Sequence, residues 1–284
     1  MKLNKASAEI FVPDGQPVAA ALRRTTAMGV VAHQDDMEIL AYHGIVDAFG
    51  RDDAWFAGAV VTNGSGSARS GLYANFTDEQ MCRVRRQEQK KAAVVGEYGA
   101  LALLDYSSAE VKNPQEKGPV ADLVALLTAA RPQVIYTHNL ADKHDTHVAT
   151  ALRLIQAIRQ LPADARPRRL YGCEVWRDLD WLCDSDKTPL RVDSHENLAA
   201  ALLGVYDSQI VGGKRYDLAT MGRRRANATY FASHGVDDSE GLTFALDMTP
   251  LIENPALSPE AFIAGFIERF AAEIRGRVGK LSAC

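Results

Sequence analysis

A chain of 284 residues is near the largest size that one hydrophobic core serves, and folding at that length buries roughly three quarters of the unfolded surface. Hydrophobic residues make up 47% and charged residues 24% of the sequence, the balance of an ordinary globular protein, which excludes a disordered chain or a fibrous repeat. Thirty-two Lys and Arg against thirty-six Asp and Glu leave a net charge of -4, without the basic excess that phosphate backbones attract, so nucleic acid is not an expected partner.

No apolar run approaches the ~20 residues that cross a bilayer, and residues 1–20 carry no apolar signal core. The expectation is a cytoplasmic protein with no membrane partner. Length alone allows about two domains, but the pattern reads as one, spanning 1–284. Cys82, Cys173, Cys183 and Cys284 form neither a C-x-x-C pair nor a Cys/His zinc spacing, and they read as the scattered small hydrophobes of a reducing compartment.

In chain order, residues 25–31 form a short β-branched and apolar run that stops at Ala32-His33, and Met37, Ile39, Leu40 and Val46 then recur at helical spacing. Trp55–Thr62 is a continuous apolar strand ended by the turn dipeptide Asn63-Gly64. Thr77 with Gln80 predicts a capping box opening a helix to about Glu97. A strand at Leu101–Tyr106, a helix at Val120–Ala130, a strand at Gln133–Thr137 and a helix from near His144 to about Gln160 follow. Beyond Pro162 the pattern continues with strands at Leu170–Val175 and Leu242–Met248 and helices at His195–Tyr206, Tyr216–Phe231 and from Pro259. Continuous apolar strands alternating with amphipathic helices predict an α/β fold, a mostly parallel sheet with helices on both faces. The motif-bearing core covers about 25–160, and 161–284 continues the same fold.

Ligand sites in such sheets lie beyond the carboxyl ends of the strands, where two clusters of metal-ligand residues fall. His33 and Asp36 lie three apart in the turn leaving the first strand, and His147 occupies the first turn of the helix after the fourth. Two imidazoles and a carboxylate suit one divalent cation with a coordination position left for water. Asp35 reads either as a general base for that water or as a helix N-cap. His144 is placed to stabilise an oxyanion or protonate a leaving group, Asp142 and Asp145 are available to orient it, and His138 competes with His147 as a ligand.

Several segments carry two readings. The glycine-rich stretch 63–71 meets neither phosphate-loop spacing and reads as a mobile loop at the mouth of the site, from which Arg69 could meet a polar substrate. Trp176 and Trp181 suit a sugar-stacking rim or core packing. Lys214-Arg215 and Arg223–Arg225 suit a sugar phosphate or a solvated helix face.

Ala32-His33-Gln34-Asp35-Asp36 with Glu38, Thr137-His138-Asn139 and His144-Asp145-Thr146-His147 together resemble the A-H-P-D-D-E and H-P-D-H motifs of the PIG-L/LmbE-like N-acetylglucosaminyl deacetylases. Arg85-Arg86-Gln87-Glu88 resembles that family's R-x-x-E helix. The resemblance implies a Rossmann-like fold and a zinc ion (Fe2+ being another candidate cation) held by His33, Asp36 and His147. It further implies Asp35 as general base, His144 as electrostatic or acid partner, and Arg85 as a substrate contact, to which Arg69, Asn63 and His138 are added as candidates. The activity implied is removal of an acetyl group from a small-molecule amino sugar or its conjugate, with a homo-oligomer left open. Gln34 stands where the family has Pro, which predicts a looser turn with the ligand spacing intact. Thr146 stands where it has Asp, so a neighbouring Asp must orient His144. Two competing readings are a non-haem iron oxygenase built on a His/Asp/His triad and a sugar-binding module with a vestigial metal site.

Overall fold

A computed structural model describes residues 1–282; Cys284 lies outside the described residues. Eight strands form one sheet: β1 (Glu9–Phe11), β2 (Ala27–Val31), β3 (Phe56–Thr62), β4 (Ala100–Tyr106), β5 (Val134–His138), β6 (Arg169–Cys173), β7 (Thr188–Arg191) and β8 (Leu242–Asp247). The helices in chain order are α1 (Val18–Arg23), α2 (Asp36–Leu40), α3 (Tyr42–Ala48), α4 (Asp78–Val95), α5 (Ser108–Lys112) and α6 (Gly118–Ala130). They continue with α7 (Asp145–Gln160), α8 (Glu196–Gly204), α9 (Asp207–Ile210), α10 (Tyr216–Tyr230), α11 (Pro250–Glu253) and α12 (Pro259–Ser282).

The sheet order is β1-β4-β3-β2-β5-β6-β8-β7. Strands β2 to β6 pair in parallel, while β1, β8 and β7 are antiparallel additions at the two edges. Helices cover both faces of the parallel part, and every residue of β3 is buried, which is why these strands read as continuous apolar runs. The α/β class with a mostly parallel sheet is thus as expected, and β6, β8 and β7 extend the same sheet beyond residue 160. Strands β1 and β7 lie outside the expected set. Each is only three or four residues long, and β7 contains Pro189, which an edge strand tolerates because one side of its ladder is unpaired.

Two glycines set the depth at which the site-bearing helix sits. Gly29 and Gly58 pair across β2 and β3, and a Cβ on Gly58 would come within 2.7 Å of the Met37 sulfur. Met37 of α2 therefore drops into a groove that any side chain would close, drawing Asp36 down onto the strand ends. The single helix expected over Met37 to Val46 is instead two, α2 and α3, broken at Ala41. Arg224 of α10 supplies the cause: its Nη2 donates to the carbonyls of Glu38 at 2.8 Å and Ile39 at 3.3 Å, satisfying acceptors at the end of the short helix. The capping box at Thr77 forms as expected, with both reciprocal hydrogen bonds present.

Among the described residues Cys82, Cys173 and Cys183 are free thiols. No helix among them is long and apolar enough to cross a membrane.

Candidate metal centre and cavity

The chain builds β2, β3 and β4 outward on one side, then returns to place β5 against the other side of β2. The loops leaving β2 and β5 therefore diverge at a topological switch point, where α/β sheets open a crevice. His33 to Asp36 follow β2, and His138 to His147 follow β5. Two hydroxyls tie these strand ends together: Thr137 Oγ1 donates to the Val30 carbonyl at 2.7 Å and Thr62 Oγ1 to the Ala32 carbonyl at 2.8 Å. The turn carrying Gln34 is pinned, not loosened: its Nε2 donates to the Thr62 carbonyl at 3.1 Å, and Arg85 donates to its backbone carbonyl.

Asp36 is the hub. Its Oδ2 lies 3.2 Å from His33 Nδ1 and 3.4 Å from His147 Nε2, and these two imidazole nitrogens are 3.2 Å apart. The His33 backbone N–H also donates to the same oxygen at 2.8 Å. Burial works against the Asp36 charge, yet the imidazoles of His147 and His138 hold its carboxyl well below the usual carboxylate range. Burial pushes His147 the other way, below the ordinary imidazole value. The donors fall into two overlapping groups that share His147: His33 with His144, and Asp36 with His138.

Asp142 orients His147 and not His144. Its Oδ2 lies 3.1 Å from His147 Nδ1, and its Oδ1 accepts the His144 backbone N–H at 2.9 Å. A carboxylate behind the ring fixes the tautomer that leaves Nε2 free toward Asp36. His144 is the N-cap of α7, and its Nδ1 accepts from the Thr146 N–H at 3.3 Å. That bond leaves Nε2 as the protonated nitrogen of the neutral ring, answering what replaces the missing Asp at position 146. Burial, with His147 and His33 nearby, keeps His144 below its usual value. His138 is fully buried; its Nε2 accepts from the Ala32 N–H at 2.8 Å, its ring stacks on His147, and its Nδ1 has no partner.

Asp35 sits at the N-cap position of α2 but makes no capping bond, and its φ of 88° lies in a region that non-glycine residues rarely occupy. The neighbours that hold it there all come from α4. Arg85 Nη2 is 3.2 Å from its carboxylate, and Gln89 accepts its backbone N–H at 3.3 Å. Behind Arg85, Glu88 accepts from its guanidinium at 3.2 Å and from the Ser208 hydroxyl at 2.8 Å. Behind Gln89, the buried Glu38 accepts from Gln89 at 2.9 Å, Tyr98 at 2.7 Å and Tyr206 at 2.6 Å. Burial raises Asp35 to about 7, Asp36 reinforcing and Arg85 opposing the shift.

A cavity of about 350 Å³ opens over this floor, lined by His33, Asp35, Asp36, His144 and His147 below and by Lys112, Trp176, Lys214 and Tyr216 higher up. Of the expected substrate contacts, Arg85 reaches the cavity, though its guanidinium is buried and engaged with Asp35, Gln34 and Glu88. Asn63, Arg69 and His138 do not line it. Asn63 Oδ1 accepts the Ser65 N–H at 3.1 Å, and Arg69 donates to the Ser65 carbonyl and to Asp78, so both shape the glycine-rich loop from within. Sequence reasoning missed Lys112, Tyr216 and Gln209 on the wall; no motif marks them. Trp176 faces the cavity, while Trp181 lies outside it and donates to Glu174 at 3.1 Å.

Fold and site together define an α/β protein with a His/Asp donor centre at the switch point of its sheet. Residues 28–158, the segment that holds the whole donor set, match the family model described as PIG-L, GlcNAc-PI de-N-acetylase. No curated protein matches the sequence. Among solved structures, a conserved protein from Thermus thermophilus is similar at 16% identity and TM-score 0.61, over 82% of this chain and 99% of that one. The 4-carboxy-2-hydroxymuconate hydratase of Pseudomonas putida is similar at 17% and 0.57, over 78% and 95%. The N,N'-diacetylchitobiose deacetylase of Pyrococcus horikoshii is similar at 15% and 0.58, over 78% and 83%. At these identities the likeness concerns the fold.

Proposed function

We propose that this protein is a metal-dependent hydrolase that removes the N-acetyl group from an amino sugar or amino-sugar conjugate, with the whole chain, 1–284, working as one domain. One observation carries the reading: three donor atoms converge under an open cavity at separations of 3.2, 3.4 and 3.2 Å. Bonds of about 2.0–2.1 Å to a tetrahedral ion put neighbouring ligands about 3.3 Å apart, so His33, Asp36 and His147 would hold a cation without rearrangement. Zinc suits this nitrogen and oxygen set, and Fe2+ is the other cation it would accept. When bound, the cation supplies polarisation of the acetamide carbonyl and a lowered pKa for water.

The chain's own residues do the rest. Asp35, its carboxylate fixed by Arg85, takes the proton from the attacking water and returns it to the leaving nitrogen. His144, its Nδ1 spent on the Thr146 N–H, keeps an Nε2–H to donate toward charge developing on the carbonyl oxygen. Trp176 and Tyr216 offer aromatic faces to the apolar side of a sugar ring. The products are acetate and a free amine.

The PIG-L match over 28–158 supports amide hydrolysis. The hydratase fold likeness favours a second reading, addition of water to an unsaturated carboxylic acid at the same centre. The test is acetate and amine release from N-acetylhexosamines, their 6-phosphates and N,N'-diacetylchitobiose, with chelator and after zinc is restored. Equimolar, metal-dependent acetate and amine are expected from at least one substrate. No acetate from any of them, with hydration of an unsaturated dicarboxylate by the zinc-loaded protein, would overturn the hydrolase reading.

A further inference from the structure

The cationic run at 214–225 spends nearly all its charge within the chain. Arg215 pairs with Asp217 at 2.7 Å, and Arg225 with Glu196 at 2.6 Å. Arg223 donates to the Val175 carbonyl at 2.7 Å, and Arg224 to the carbonyls that end α2. Lys214 is left over, and it lines the cavity. A tight turn sets it there: its backbone N–H donates to the Gln209 carbonyl at 2.9 Å, and its own carbonyl accepts from the Tyr216 N–H at 2.7 Å. Tyr216 lines the same cavity, as do Ser108 and Lys112, which lie one turn apart on α5.

Among the described residues, no hydrogen bond or ion pair engages the side chains of Ser108, Lys112, Lys214 and Tyr216. Each of the four can donate a hydrogen bond, and the two ammonium groups can do nothing else. The only carboxylates lining the cavity are Asp35 and Asp36, which lie on the floor and are already held by Arg85 and by imidazoles. The upper wall therefore carries two uncompensated positive charges, in a chain whose net charge is -4. A recess lined with one sign of charge concentrates its field on what enters. Lys214 Nζ also lies 5.4 Å from the Trp176 ring, so an ammonium stands beside the aromatic face offered to a sugar.

We propose that Ser108, Lys112, Lys214 and Tyr216 form an oxyanion subsite, and that the substrate carries a phosphate or a carboxylate in addition to the group that reacts over the donor centre. The two oxyanions share the chemistry this wall offers, several oxygens that accept from ammonium and hydroxyl donors. The proposal rests on the reading of this cavity as the hydrolase's substrate site and deepens it by naming the class of substrate. Lys214 and Tyr216 lie beyond 28–158, so half of the subsite comes from outside the motif-bearing segment.

The test is calorimetric titration of the zinc-loaded protein with glucosamine, its 1- and 6-phosphates, and muramic acid, an amino sugar bearing a carboxylate. At least one anionic sugar should bind about 10-fold tighter than glucosamine, the gain expected of two exposed charge-assisted contacts. Whether the phosphates or muramic acid show the gain identifies the oxyanion. Lys112→Gln combined with Lys214→Gln should abolish it. Lys143→Gln should keep it, since that ammonium is also 5.4 Å from the Trp176 ring but borders the neighbouring groove. Equal affinity for all four sugars overturns the proposal, and so does a gain that survives in the double variant, which would put the oxyanion on the floor. These sugars are already free amines, so the result is separate from acetate release: the gain without any acetate would sink the hydrolase reading and leave the subsite standing.

Discussion

On the floor of the cavity the charged side chains are already engaged with one another: Asp36 with three imidazoles, Asp35 with Arg85, and Asp142 with His147. On the rim Lys112 and Lys214 are exposed and, among the described residues, ion-paired with no carboxylate, Lys214 resting instead 5.4 Å from the Trp176 ring. The floor behaves as one unit in which each group fixes the next, so a change there spreads. The rim is a set of independent contacts. In the proposed hydrolase, chemistry would be set below and choice of substrate above.

The largest expected effect is at Asp35. Asp35→Asn keeps the size of the side chain and its place beside Arg85 but removes the proton acceptor, and turnover should fall about 10²- to 10⁴-fold with zinc content unchanged. Full turnover in the zinc-loaded variant would remove Asp35 from the chemistry. Next is Asp142→Ala, which frees the His147 ring and should weaken zinc about 10- to 100-fold in competition with a chromophoric chelator. If His138→Ala weakened zinc and His33→Ala did not, the buried group of Asp36, His138 and His147 would be the true centre. Trp176→Ala tests the rim. It should raise KM about 3- to 10-fold with kcat unchanged, the mark of binding lost equally from substrate and transition state.

The smallest effect lies in the loop that carries Trp176. Glu174 is buried and accepts from the Leu179 N–H at 2.7 Å and from Trp181 at 3.1 Å. Burial raises its carboxyl to about 7 from the ordinary value of 4.5. A carboxyl raised on folding binds its proton more tightly in the native state, so it costs nothing below pH about 4.5 and its full penalty above about 7. The stability of the native protein relative to Glu174→Gln should therefore fall across that window, by at most about 3 kcal/mol. Urea unfolding curves for the two proteins that stay parallel from pH 4 to pH 8 would contradict the burial account.

How much of this was legible depended on distance along the chain. His33 and Asp36 share one turn, and Thr77 and Gln80 share one capping box, so their geometry follows from local rules. The strands of the parallel core were readable because burial on both faces makes them uniformly apolar. The break at Ala41 was not, because the residue that ends α2 is Arg224, far along the chain on α10. The role of Asp142 was misassigned for a similar reason: proximity suggested the His144 ring, while the fold turns its carboxylate toward His147. Asn63 and Arg69 show the converse, since a loop bordering a site can spend its polar groups internally. Of the antiparallel edges, β1 and β7 were too short to register as periodicity.

Anomalous scattering at the zinc edge from zinc-soaked crystals tests the central claim most directly. The account predicts one strong peak about 2.0–2.1 Å from His33 Nδ1, Asp36 Oδ2 and His147 Nε2, facing the cavity that Asp35 and His144 line. A peak held by other residues, or none at that point in fully zinc-loaded crystals, would contradict it.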